Sequence, residues 1–150
     1  MPHRKEALKR LTYGVYIVTA CRDGQLNAMT MRMVSQVSVR PPCLGLSVAK
    51  RRLTHGFISG GGVFVVNVLA EGQEMLGGHF GLRSGRDFNK LAGVDYELGE
   101  LGAPILKRSA AWLECRLAES LDIGNCTFFV GEVVNSEVSG EAPLVYREGA

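Results

Sequence analysis

Long apolar runs are missing from this 150-residue chain. None reaches the ~18–20 residues of a membrane-crossing helix, so no membrane partner is expected. Charge of one sign is not in excess either. Seventeen Lys and Arg against fifteen Asp and Glu leave +2, whereas a nucleic-acid module carries a marked basic surplus. No two of Cys21, Cys43, Cys115 and Cys126 form a C-x-x-C. That removes zinc ribbons, rubredoxin-type iron sites and thioredoxin-type pairs, and three of the four, set among apolar residues, read as plain buried thiols. The opening MPHRKEALKRLTYG is basic but has no apolar centre, so it does not read as a secretory signal, and the expected compartment is the cytoplasm. There is no G-x-x-x-x-G-K-[ST] and no G-x-G-x-x-G after a strand. Ser35, Ser38 and Ser47 stand outside any G-x-S-x-G elbow, and His3, His55 and His79 lack the spacing of a metal site.

What is present suits one folded unit. Hydrophobic residues make up 46% and charged residues 21%, a balance that can bury a core without staples. A chain of this mass is expected to expose roughly 7,400 Å² when folded, about a third of its unfolded surface. Residues 3–11 carry Ala7, Leu8 and Leu11 at helical spacing. Tyr13 to Cys21 is rich in β-branched and aromatic residues, and Arg22-Asp23-Gly24-Gln25 is a hairpin turn. Leu26 to Ser38 continues extended, with a bulge, until Pro41-Pro42. Strands are expected at Leu44–Ala49, Val63–Leu69, 111–121, Thr127–Val138 and Pro143–Tyr146, and short helices at Leu53–Ser59 and Gln73–Phe80. In 111–121, Leu113, Cys115 and Leu117 alternate with Glu114 and Arg116, the pattern of a half-buried strand. Residues 81–104, rich in glycine and charge, form a long excursion with one helical turn near 87–91, the kind of segment that usually carries function. Hairpin links outnumber βαβ links, which favours an antiparallel barrel over a doubly wound sheet. No repeat or linker interrupts the chain, so a single domain over 1–150 is expected.

Three places mix polar and apolar residues in a way a plain core does not need. Met29, Met31 and Met33, at alternate positions, would line one face of a strand, either as ordinary core or as a polarizable wall beside a flat ring. Asn27 and Thr30 would supply hydrogen bonds at its edge. Lys50-Arg51-Arg52 leads into Thr54 at a helix start, where backbone N–H groups, a hydroxyl and cations suit a phosphate. Arg83, Ser84, Arg86 and Lys90 add cations and a hydroxyl in the excursion.

The chain resembles the flavin reductase-like proteins, the FMN-binding split-barrel group that includes flavoredoxins and the flavoprotein domain of high-molecular-weight rubredoxins. The likeness runs over about residues 7–147 in eight ordered blocks. They are LTYGVYIVTA (11–20), NAMTMRMVSQVSVRPP (27–42), LTH (53–55), GVFVVNVL (62–69), HFGLRSGRDFNKLAG (79–93), GAPIL (102–106), GNCTFFVGEV (124–133) and PLVYREG (143–149). No block is diagnostic alone; their order and spacing carry the resemblance.

The resemblance implies a mostly β fold with short helices: a six-stranded antiparallel FMN-binding split β-barrel that forms a homodimer. It implies that the strand through Asn27, Ala28, Met29, Thr30 and Met33 lies along the isoalloxazine. Ser47, Val48, Ala49, Lys50 and Thr54 would hold the ribityl chain and phosphate, and Arg83, Ser84 and Lys90 would close over them. The activity class is electron transfer through FMN from NADH or NADPH to an acceptor. Alternatives within the same resemblance are a flavoredoxin-like electron carrier with little nicotinamide activity and a flavin-binding module without turnover. Relatives often carry Gly-Asp-His-Thr where this chain has Gly124-Asn125-Cys126-Thr127, which puts Cys126 in place of a histidine near the flavin edge, and often Trp where Met33 stands. No rubredoxin module lies within these residues, so a one-electron acceptor would be a separate redox protein or free flavin.

Overall fold

The computed structural model describes residues 2–81 and 90–147. A short helix α1 (Pro2–Leu8) leads to β1 (Thr12–Gly14), β2 (Tyr16–Arg22) and β3 (Gln25–Met31). Then come β4 (Val34–Val39), β5 (Pro42–Ala49), α2 (Leu53–Gly61), β6 (Val63–Val68) and α3 (Glu74–Gly81). The rest is β7 (Tyr96–Leu98), β8 (Pro104–Leu106), the long strands β9 (Ala111–Ile123) and β10 (Cys126–Val138), and β11 (Val145–Arg147). Seven strands form one antiparallel sheet in the order β3-β2-β6-β9-β10-β5-β4. Met29 and Met31 near one end and Leu44, Leu46 and Val48 near the other enter the same core cluster, with Phe64, Cys115 and Phe129 between them. A sheet whose opposite ends meet in one core has curled into a barrel, and α2 plugs it through Phe57 and Ile58. The mostly β, split-barrel expectation holds.

The main sheet has seven strands rather than six because the stretch expected as continuous from Leu26 to Ser38 breaks at Arg32-Met33. The Arg32 guanidinium lies over the rings of Tyr13 and Tyr146, 5.4 and 5.0 Å from their centroids. Those tyrosines face each other across the β1–β11 pair. Met33 leaves the ladder, and its carbonyl accepts the Ser47 N–H at 3.1 Å. The expected line of three methionines is therefore two: Met29 and Met31 are buried in the core, while Met33 lies beyond the end of β3 and is 49% exposed.

The excursion also differs from expectation, since β7 and β8 pair within it. Three buried polar side chains on the outer face of the sheet hold it down. The Thr19 hydroxyl donates to the Pro104 carbonyl, and Asn67 Oδ1 accepts the Leu106 N–H at 2.9 Å while its Nδ2 donates to Ile17 O. Glu114 Oε2 accepts the Leu101 N–H at 2.9 Å. Glu114 alternates with Leu113 and Cys115 as expected, yet it is wholly buried, because the turn at Gly99–Gly102 covers it. All four cysteines are free; Cys43 and Cys115 are buried, while Cys21 and Cys126 are partly exposed, so two rather than three are plain core thiols. Burial, with smaller contributions from Cys43 and Glu114, pushes the Cys115 thiol up to about 12. Among the described residues no helix is long and apolar enough to cross a membrane.

Candidate functional site

The site is built where β5 runs into α2. Ala49 ends β5, and the Arg52 N–H closes a turn onto its carbonyl at 3.0 Å. Arg52 is the N-cap of α2, with extended backbone (φ −77°, ψ 141°) and no side-chain cap bond. The first N–H groups of a helix have no acceptor within it, and the helix dipole makes that end positive. Thr54 sits in this turn, 2% exposed, and its Oγ1 accepts from Asn27 Nδ2 at 2.8 Å. Asn27 thus fixes the hydroxyl from β3 and leaves its proton for another acceptor.

A second cation, Lys90, stands at the end of α3 within electrostatic reach of Arg52. Lys90 is 4% exposed, and its Nζ donates to Phe80 O at 3.1 Å. Burial first, and the positive charge of Arg52 second, push its ammonium down from 10.5 to about 8. Two cations that feel each other's charge, one of them at the positive end of a helix, are unfavourable unless an anion completes the set. The residues present therefore fit a phosphate. Arg83 and Ser84, expected beside Lys90, lie outside the described residues.

The register sorts the other expected residues by face. Ala49 pairs with Cys126 and Ser47 with Phe128, so Ser47, Ala49, Cys126 and Phe128 share the outer face of β5 and β10. Val48 points the other way and is 1% exposed in the core. On β3, Asn27 and Met29 face the core and α2. Ala28 and Thr30 face α3, where Ala28 packs in a second cluster and the Thr30 hydroxyl donates to Gly77 O. Asn27 and Thr30 thus lie on opposite faces, and their side chains do not share one ring. β3 is, however, the end strand of the sheet, so its far edge offers backbone donors and acceptors.

Sequence reasoning missed a polar chain beneath this site. His55 Nε2 and Thr127 Oγ1 are 2.7 Å apart, and Thr127 Oγ1 donates to Asp122 Oδ1 at 3.1 Å. With its one proton given to Asp122, the Thr127 hydroxyl accepts from His55, so His55 carries its proton on Nε2. Lys50 joins through its N–H to Asn125 O at 2.9 Å and its ammonium to Asp122 at 3.7 Å. The ion pair is exposed and contributes little, but the chain ties the start of α2 to the turn that carries Cys126. Two cavities, of about 300 and 480 Å³, lie elsewhere: one beside Trp112 and Val138, the other beside Cys21 and Gly102. Neither is lined by an expected cofactor residue.

Comparison with known proteins gives the family. The family model described as "Flavin reductase like domain" matches residues 8–150. The high molecular weight rubredoxin of Moorella thermoacetica is 40% identical over 145 residues, which cover 94% of this chain and 63% of that protein. The chain therefore spans just under two thirds of that relative. The FMN reductase (NADH) SmoA of Agrobacterium fabrum is 34% identical over 146 residues, 97% of this chain and 82% of that one. Among solved structures, flavoredoxin from Methanosarcina acetivorans superposes with a TM-score of 0.86 at 30% identity, covering 92% of this chain and 81% of that one. With a family model matched over nearly all its length and relatives at this identity, the chain belongs to the flavin reductase-like domain family.

Proposed function

We propose that this chain is an FMN-dependent oxidoreductase, a single flavin reductase-like domain that passes electrons from NADH or NADPH through FMN to an acceptor. The observation that carries the reading is the start of α2, where Arg52 has no side-chain cap and Asn27 fixes the buried Thr54 hydroxyl, with the buried Lys90 ammonium within electrostatic reach of Arg52. When bound, FMN supplies hydride acceptance and onward electron donation. The protein supplies the binding. Thr54, Arg52 and Lys90 take the phosphate, with Arg83 and Ser84 assigned there by family resemblance. Ser47, Ala49 and Lys50 flank the ribityl chain, to which Val48 offers only backbone. The edge of β3 from Asn27 to Thr30 reads the polar rim of the ring, and Met33 and Cys126 stand at its margins. Equilibrium binding tests this reading: FMN should bind more tightly than riboflavin, and equal affinities would remove the phosphate from the account.

The working form is a homodimer in this reading. The outer face of β9, β10, β5 and β4 carries exposed apolar side chains at one end: Leu121, Ile123 and Val37 are 61, 55 and 47% exposed, beside Phe128 and Val130. Ser47, Ala49 and Cys126 lie on this face, so a second copy would wall the site. Sedimentation should give twice 16.2 kDa, and Leu121→Lys with Ile123→Lys should dissociate the dimer and weaken FMN. A stable wild-type monomer with full FMN affinity would contradict it. A separate redox protein or free flavin is the proposed acceptor. The cytoplasm is the proposed compartment, in keeping with four free thiols and a nicotinamide reductant.

Cys126 tests the margin of the ring. It is half-buried on the outer face, with its thiol 3.6 Å from Asn125 Oδ1, and it does not fill the core. Cys126→His should therefore keep the melting temperature and give flavin reduction by NADH a pH dependence near the ordinary imidazole value of about 6.5. Identical pH profiles for the two proteins in stopped-flow reduction would place this turn away from the flavin.

A further inference from the structure

The last turn of α3 and residue 90 hold each other by two bonds. His79 Nε2 lies 2.6 Å from the Lys90 carbonyl oxygen. A carbonyl only accepts, so this ring nitrogen carries the proton and donates. In return, Lys90 Nζ donates to Phe80 O, near the end of the helix where the dipole favours a cation. The imidazole also stands edge-on to the Phe80 ring, with centroids 4.9 Å apart and planes at 82°. Phe80 is itself wholly buried. The ring is thus fixed by a core aromatic on one side and grips the backbone of Lys90 on the other. An ammonium on a flexible four-carbon stem aims well only when its backbone is held.

We propose that His79 is a positioning residue for phosphate recognition: through its Nε2–H it fixes the Lys90 backbone, aims the buried ammonium at an anion beside Arg52, and so sets the preference for FMN over riboflavin. The inference rests on the reading of Lys90 as a phosphate ligand. In this proposal His79 acts on the Lys90 backbone rather than on the phosphate.

The test is equilibrium binding of FMN and of riboflavin to the wild type, His79→Ala, His79→Gln, Lys90→Ala and the His79→Ala/Lys90→Ala double variant, each with a thermal melt. The quantity read is the ratio of the two dissociation constants. His79→Ala should cut the preference for FMN by roughly threefold to tenfold, the range of one neutral hydrogen bond. His79→Gln keeps an amide N–H donor and should restore most of the preference. The double variant should be no less selective than Lys90→Ala, because the effect proposed for His79 on phosphate recognition runs through Lys90. A wild-type ratio in His79→Ala, even with a lowered melting temperature, would make His79 merely structural and overturn the proposal. So would losses that multiply in the double variant. An unchanged ratio in Lys90→Ala would overturn it at its base, and would show that the phosphate reading, rather than the part given to His79, was at fault.

Discussion

Lys90→Ala should weaken FMN by about tenfold or more and leave riboflavin nearly unchanged. A charge-assisted hydrogen bond contributes about 1.5–3 kcal/mol, and each 1.4 kcal/mol is a factor of ten in affinity. Lys90 is buried, within electrostatic reach of Arg52, and among the described residues its ammonium is bonded to a neutral carbonyl, so an anionic phosphate offers its charge a partner that riboflavin lacks. The same placement sets a pH dependence. Burial and Arg52 hold the ammonium at about 8, below its ordinary 10.5. A bound phosphate favours the charged form, so FMN affinity should fall as pH rises through about 8 while riboflavin affinity stays flat. The cofactor-free protein should show the opposite trend in stability. Between about 8 and 10.5 the unfolded chain binds a proton that the folded one does not, so the contribution of this group to stability rises with pH over that window. Fluorescence titrations with both flavins from pH 6.5 to 9.5 check the first statement, and melts of the cofactor-free protein check the second.

Gly61→Ala should cost ~3 kcal/mol or more, at the upper end of overpacking penalties, and Gly62→Ala clearly less. The two glycines are neighbours with different reasons to be glycine. A Cβ on Gly61 would lie 1.9 Å from the carbonyl oxygen of Cys21, a backbone atom of β2 that cannot swing aside. Gly62 caps α2 with φ +70° and its N–H on Ile58 O, and a Cβ there meets nothing within 4 Å. Its substitution carries only the left-handed backbone penalty of about 1–2 kcal/mol. Because α2 presents Thr54 and Arg52 at its other end, Gly61→Ala should also weaken FMN. Urea unfolding of the two variants gives the comparison. Equal losses would mean that α2 does not press on β2 as closely as the geometry has it.

The contrast between local and distant causes explains what the sequence made legible. The Asp23-Gly24 hairpin, the strand Val63–Val68 and the helix after Lys50-Arg51-Arg52 are written in adjacent residues, and they stand where expected. The break at Arg32-Met33 is not local: its cause is a pair of tyrosines 133 positions apart that come together only when the ends of the chain pair. Likewise β7 and β8 are three residues each, too short to signal themselves, and are held by Thr19, Asn67 and Glu114 from three other strands. A single Asn inside an apolar strand and a Glu inside an alternating one were the available hints. In the site, the cations at Lys50-Arg51-Arg52 and around Lys90 marked two places in the sequence, and the family resemblance gave them their proposed role. His55, Thr127 and Asp122 escaped notice because the histidine is 72 positions from its hydroxyl partner.

The most direct test of the central claim is the visible absorption spectrum of the purified protein with FMN, recorded anaerobically before and after addition of NADH and, separately, NADPH. An FMN-dependent NAD(P)H oxidoreductase should bind FMN at one per chain, and the oxidised flavin band should bleach with at least one nucleotide. Failure to bind FMN would contradict the cofactor assignment made from Thr54, Arg52 and Lys90. Bound flavin that stays oxidised under excess of both nucleotides would contradict the reductase reading and leave an electron carrier in its place.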